Sequence, residues 1–105
     1  MTNDPTITNP DKYKVIFEND KVRVLEYTDK PGDKTTPHAH PDSVMITLSS
    51  FERKLHFEGK VIDIQKKANE ASWLPAQTHV GENTGSTKTH AIFVELKQSA
   101  SQKIS

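Results

Sequence analysis

Between Tyr13 and Leu96 the chain never runs far without a turn signal. Runs of strand-favouring residues stand at Tyr13-Lys14-Val15-Ile16-Phe17, Val22-Arg23-Val24-Leu25-Glu26-Tyr27, Val44-Met45-Ile46-Thr47-Leu48, Lys54-Leu55-His56-Phe57, Val61-Ile62-Asp63-Ile64, Ala71-Ser72-Trp73-Leu74-Pro75 and Thr89 to Leu96. Glu18-Asn19-Asp20, Pro31-Gly32, Ser49-Ser50, Glu58-Gly59-Lys60, the polar stretch Lys66 to Glu70 and Thr84-Gly85-Ser86 separate them. No window sustains the 3.6-residue apolar repeat of an amphipathic helix, and strands recurring roughly every eight to twelve residues indicate a β-sandwich or barrel. The fold class expected is therefore all-β. The first two runs read as antiparallel strands, and Glu58-Gly59-Lys60 reads as a hairpin turn.

A length of 105 residues indicates one domain. Residues 1–11 carry a single isoleucine among prolines, threonines, asparagines and aspartates, too little apolar surface to offset the entropy of ordering them, and read as a flexible arm. The barrel is expected over 12–97, and 98–105, where the pattern is lost, reads as a flexible tail. Only 32% of residues are hydrophobic and the mean hydropathy is −0.72, so the core is thin for the length. Burial across a subunit interface would help, and the apolar strands Tyr13–Phe17 and Val22–Tyr27 make a homodimer the expected assembly.

The 14 basic and 14 acidic residues are interspersed and cancel, which leaves no basic stripe for nucleic acid. The absence of cysteine excludes disulfides, thiolate metal sites and a cysteine nucleophile. Any metal must be held by nitrogen and oxygen. No apolar run approaches the 18 or so residues of a membrane span, and Met1-Thr2-Asn3-Asp4-Pro5 lacks the charge and apolar run of a signal peptide. A cytoplasmic location with no membrane partner is the expectation.

Chemistry concentrates in two stretches. In Pro37-His38-Ala39-His40-Pro41, the two histidines are one residue apart, and side chains alternate along a strand, so both point to one face. A third imidazole alongside would complete a set able to hold zinc or a first-row transition metal with positions left open. His79, in Pro75-Ala76-Gln77-Thr78-His79-Val80-Gly81-Glu82-Asn83, is the best candidate.

These stretches resemble the two signature motifs of the cupin superfamily. Gly32, five residues and His38-Ala39-His40 match the first motif, with Val44 or Met45 where a glutamate ligand is usual. Pro75, His79 and Asn83 match the frame of the second, with Gln77 in place of a glycine and one residue fewer before the histidine. The likeness spans about Lys21 to Lys97 and is greatest to small single-domain bacterial cytosolic cupins, some named for beta-alanine degradation, a pathway association that identifies no reaction. It implies a double-stranded β-helix, the cupin jelly-roll barrel. It also implies a divalent metal (Fe, Zn, Mn or Ni) on His38, His40 and His79, with Asn83 supporting the site by hydrogen bonding.

The other candidates are secondary. Tyr27 and Trp73 are possible pocket walls against a small molecule, with core packing as the default. Glu26 is a possible partner to a ligand, more simply a solvated strand residue. Asp42 is a possible substitute carboxylate but follows Pro41 and reads as a turn residue. His56 reads as outward-facing, His90 as a packed or rim residue sharing the parity of Ile92 and Val94, and Arg23 and Arg53 as solvated. Two functional classes follow. One is a metalloenzyme on a small organic metabolite, through dioxygenase-like or Lewis-acid chemistry. The other is a non-catalytic cupin that binds a metabolite or metal as a sensor or pathway accessory.

Overall fold

The computed structural model describes residues 4–97. One helical turn, α1 (Pro5–Thr8), precedes nine strands: β1 (Tyr13–Glu18), β2 (Val22–Asp29), β3 (His38–His40), β4 (Ser43–Thr47), β5 (Phe51–Phe57), β6 (Lys60–Lys66), β7 (Ala71–Leu74), β8 (Gln77–Asn83) and β9 (Thr89–Leu96). They form two antiparallel sheets, a five-stranded one in the order β1-β2-β9-β4-β7 and a four-stranded one in the order β3-β8-β5-β6. The result is the double-stranded β-helix that the strand spacing and motifs anticipate.

Alternation decides what faces inward. On β2 the buried residues are Leu25, Tyr27 and Asp29, on β4 Ser43, Met45 and Thr47, and on β9 Thr89, Ala91, Phe93 and Glu95. Phe93 pairs with Leu25 on one side and Met45 on the other, which gathers the centre of the core on three neighbouring strands. Among the described residues, seven apolar side chains are buried against ten polar or charged ones, so much of the interior must be satisfied by hydrogen bonds. The thin core thus encloses a polar site. At the β5–β6 hairpin, Phe57 pairs with Lys60 across a two-residue loop in which Glu58 (φ 52°) and Gly59 (φ 73°) both adopt positive φ. Two positive φ angles are what a tight hairpin loop of this length needs to match the twist of its strands.

Of the segment 1–11 expected as a flexible arm, residues 4–11 are described: α1 is a proline-started turn capped by Asp4, whose carboxylate accepts from the Thr6 backbone N–H (2.9 Å). That carboxylate also pairs with Arg23 (2.8 Å), and buried Asn9 accepts from the Thr36 N–H (3.0 Å). Polar side chains rather than apolar area tie this segment to the barrel. The expected tail at 98–105 lies outside the described residues. No helix among the described residues is long and apolar enough to cross a membrane.

Candidate metal centre

β3 and β8 are neighbours, and their register sets His38 directly opposite His79, with His40 opposite Gln77. Because His38 and His40 share a face, all three imidazoles converge, with ring centroids 4.8, 4.8 and 5.1 Å apart and one nitrogen of each within 4.8 Å of the others. His38 and His40 are buried, and His79 is partly so.

Hydrogen bonding orients all three rings in the same sense. His38 Nδ1 lies 2.8 Å from the Thr36 carbonyl, His40 Nδ1 3.4 Å from Glu95 Oε2, and His79 Nδ1 2.7 Å from Gln77 Oε1. The Gln77 amide is orientated by its own Nε2, which donates to the Pro75 carbonyl (3.4 Å). Each partner is an acceptor, so each Nδ1 carries the proton and donates it, which leaves Nε2 as the nitrogen with a lone pair to offer. Outer acceptors of this kind fix the tautomer and orientation of metal-binding histidines. Burial pulls the pKa of His38 down to about 4, against the Thr36 hydrogen bond and with the help of His40 and Arg53. Burial, then His40, His38 and Arg53, pulls His79 down to about 3. Both rings are neutral at pH 7 with lone pairs available. Metal–nitrogen bonds of about 2.0–2.1 Å span nitrogen pairs about 3.0–3.4 Å apart, so small ring movements bring the set to bonding distance. The donor set therefore fits a divalent metal.

The histidines form one wall of a cavity that also involves Tyr13, Tyr27, Met45, Arg53, Leu55, Leu74 and Phe93. Its volume of about 60 Å³ has room for a few water molecules. Of Val44 and Met45, the two residues at the place of the first motif's glutamate, Met45 lines the cavity and gives it a thioether.

Several residues that shape this site are not apparent from the sequence motifs. Glu95, on the inward face of β9, accepts from Arg23 Nε through Oε1 (2.9 Å) and faces His40 through Oε2. Arg53 is not solvated. Its guanidinium lines the cavity, donates to Asp29 and to Thr89 Oγ1 (3.0 Å) through Nη1, and to Tyr27 Oη (3.1 Å) through Nη2. Gly81 makes room for it, since a Cβ there would lie 2.6 Å from Arg53 Nη2. Arg23 is likewise engaged, between Asp4 and Glu95.

Asn83, His90 and Trp73 also depart from expectation. Asn83 is buried but touches no histidine; its amide donates to Asp29 Oδ1 (3.0 Å) and the Thr87 carbonyl (2.9 Å), so it supports the Asp29–Arg53 pair. Glu26 follows its simpler reading as a strand residue off the cavity: it points away and pairs with His90 (2.6 Å), because the inward parity of β2 belongs to Leu25 and Tyr27. His90 therefore sits on the outer face of its sheet and is not packed inside. Trp73 is 54% exposed and forms no cavity wall. Tyr27 does line the cavity, His56 pairs outside it with Glu82 (3.1 Å), and Asp42 caps the Ala76 backbone N–H (2.8 Å) as a turn residue does.

No protein-family model and no curated protein matches the chain. Solved structures do. A cupin domain from Bordetella pertussis Tohama I superposes with a TM-score of 0.77 at 23% identity, covering 82% of this chain and 92% of that one. An RmlC-like cupin family protein with a double-stranded β-helix fold from Methanocaldococcus jannaschii gives 0.65 at 14% identity, covering 80% and 77%. The polyketide cyclase RemF from Streptomyces resistomycificus gives 0.60 at 16% identity, covering 82% and 64%. With the two sheets and their strand order, these likenesses show that the chain has the cupin fold, a double-stranded β-helix.

Proposed function

We propose that the protein is a metal-dependent enzyme acting on a small organic metabolite, with the metal held by His38, His40 and His79. The observation that carries this reading is the matched orientation of the three rings: every Nδ1 lies beside an acceptor, and one nitrogen of each ring lies within 4.8 Å of the others beside a cavity. Neutral imidazoles are the form a metal requires. When bound, a divalent metal supplies Lewis acidity toward a substrate oxygen or, if redox-active, electrons for dioxygen activation. The chain's own residues do the rest. Glu95 and Gln77 hold two of the ligand rings, apolar side chains such as Leu55, Leu74 and Phe93 exclude water, and Arg53 offers a positive group to a polar end of the substrate.

Metal analysis of the purified protein, followed by oxygen-uptake and turnover assays on small thiols, diketones and amino-acid derivatives, tests the reading. About one divalent ion per chain with turnover is the expected result. Binding without turnover leaves the protein a metal- or metabolite-binding sensor or accessory; failure to bind iron, zinc, manganese or nickel at neutral pH removes the metalloenzyme reading.

We also propose that two copies pair through β1. It is a sheet edge, and Val15, Ile16 and Phe17 are all exposed there, with a register shift between Val15 and Phe17. An apolar edge of this kind calls for a cover. Light scattering at micromolar concentration should give a dimer mass for the wild type and a monomer mass for Phe17→Glu; a monomeric wild type removes the proposal.

A further inference from the structure

We propose that Tyr13 supplies the fourth donor to the metal, its phenol oxygen standing in for the carboxylate that the first motif lacks. The inference rests on the metal reading above. It starts from two distances: the Tyr13 hydroxyl lies 3.3 Å from His38 Nε2 and 3.4 Å from His40 Nε2. Two ligands of a tetrahedral ion with bonds of about 2.0–2.1 Å stand about 3.3–3.4 Å apart. The oxygen is already one tetrahedral edge from two of the three nitrogens.

Hydrogen-bond accounting leads to the same place. The three Nε2 atoms carry lone pairs and no proton, while one phenol has one proton to donate. A cation that takes the lone pairs removes the hydroxyl's partners at His38 and His40. Packing fixes where the hydroxyl sits: Tyr13 is 5% exposed and lines the cavity, and its ring lies 4.6 Å from that of Tyr27 and 6.0 Å from that of Phe93, which holds the oxygen beside the two nitrogens. A buried hydroxyl stripped of partners is unfavourable, and bonding to the ion removes that cost.

The nearby carboxylates cannot take the role. Glu95 faces the Nδ1 side of His40, behind the ring, and its other oxygen is held by Arg23. Asp29 is engaged by Arg53, Tyr27 and Asn83. Met45, at the glutamate position, offers only a soft thioether. Three neutral imidazoles leave the full charge on a divalent ion, and a phenolate oxygen offsets part of it. On binding, the O–H bond breaks, its proton leaves to solvent and the metal–oxygen bond forms, with no change of oxidation state.

Tyr13 and Tyr27 are the only tyrosines in the chain, which makes a spectroscopic test selective. The wild type, Tyr13→Phe and Tyr27→Phe are each titrated with Cu(II). The expected result is a visible phenolate-to-copper charge-transfer band with enhanced tyrosinate Raman modes in the wild type and Tyr27→Phe. In Tyr13→Phe the band is absent, and copper binds at the same stoichiometry with an affinity about ten- to a hundredfold lower. If Tyr13→Phe does not fold, the band in the wild type and its survival in Tyr27→Phe still support the assignment. A wild type that binds copper without the band, or with the spectrum and affinity of Tyr13→Phe, overturns the Tyr13 inference and leaves the three-histidine site standing. A wild type that binds no copper, zinc or iron overturns both.

Discussion

His38→Ala and His79→Ala should each weaken divalent-metal binding by more than about a hundredfold, while His56→Ala leaves it unchanged. Losing a partner that merely orients a ligand costs about 10–100-fold, and losing the ligand itself must cost more. The two residues reach the site by separate routes, one on β3 and one on β8, and meet only because the strands pair in a register that sets them opposite each other. Equal losses from both therefore report the β3–β8 pairing as well as a metal site. His56 controls for nonspecific imidazole binding, because it is paired with Glu82 outside the cavity. Equilibrium titration with zinc, alongside circular dichroism to verify the strand signal, is the measurement. Retention of wild-type affinity by either mutant removes that residue from the ligand set.

The second large effect is on stability. Asp29→Ala should cost about 3–5 kcal/mol, the usual penalty for breaking a buried ion pair by deleting one partner. The Asp29 side chain is fully buried and accepts from Arg53, Tyr27, Asn83 and the Thr89 backbone N–H. Its removal leaves the Arg53 guanidinium, 10% exposed, without its carboxylate. Against a total of about 5–15 kcal/mol for a typical domain, the loss is large, and urea unfolding at pH 7 measures it. Changing Arg53 to Met in the same protein should restore part of it, since no unpaired charge remains. The same pair predicts acid sensitivity. Burial raises the Asp29 carboxyl pKa, but the Arg53 charge and hydrogen bonds from Tyr27, Arg53 and Asn83 outweigh that and hold it below the ordinary 3.8. A depressed pKa contributes stability that is complete above the unfolded value and lost as pH falls through the folded one. The wild type should therefore weaken below about pH 4, and Asp29→Asn should lose less over the same interval. Equal acid slopes for the two proteins would remove Asp29 as the source.

The parts of this structure legible in the sequence are those written in local spacing. Alternation and turn chemistry mark the strands, and the His38–His40 interval puts two imidazoles on one face whatever the rest of the fold does. His79 follows from the motif frame. Tyr13, Glu95 and Arg53 come to the cavity from β1, β9 and β5, and no interval in the sequence encodes those meetings. A signal for Glu95 was present, since it shares the parity of Ala91 and Phe93. It was obscured because the opposite parity, Ile92 and Val94, is equally apolar, so alternation did not say which face was inside. The same ambiguity misplaced His90. Arg53 looked solvated because it stands between Glu52 and Lys54, and only the buried Asp29 explains its position.

Gly81 has a consequence for how the cavity could be altered. β8 is pinned at this point by the Leu55 pairing on one side and on the other by Thr35, whose N–H donates to the Gly81 carbonyl (2.8 Å) and whose hydroxyl accepts from the Gly81 N–H (2.9 Å). The strand cannot retreat, so a methyl group added there displaces the guanidinium and not the backbone. Among the residues lining the cavity, Arg53 is the one permanent cation. The reach and aim of that charge relative to the histidines are thus adjustable through one hydrogen-to-methyl exchange, on a strand that contributes His79 two residues earlier, so a designer seeking a different occupant could retune selectivity at position 81 without touching a metal ligand.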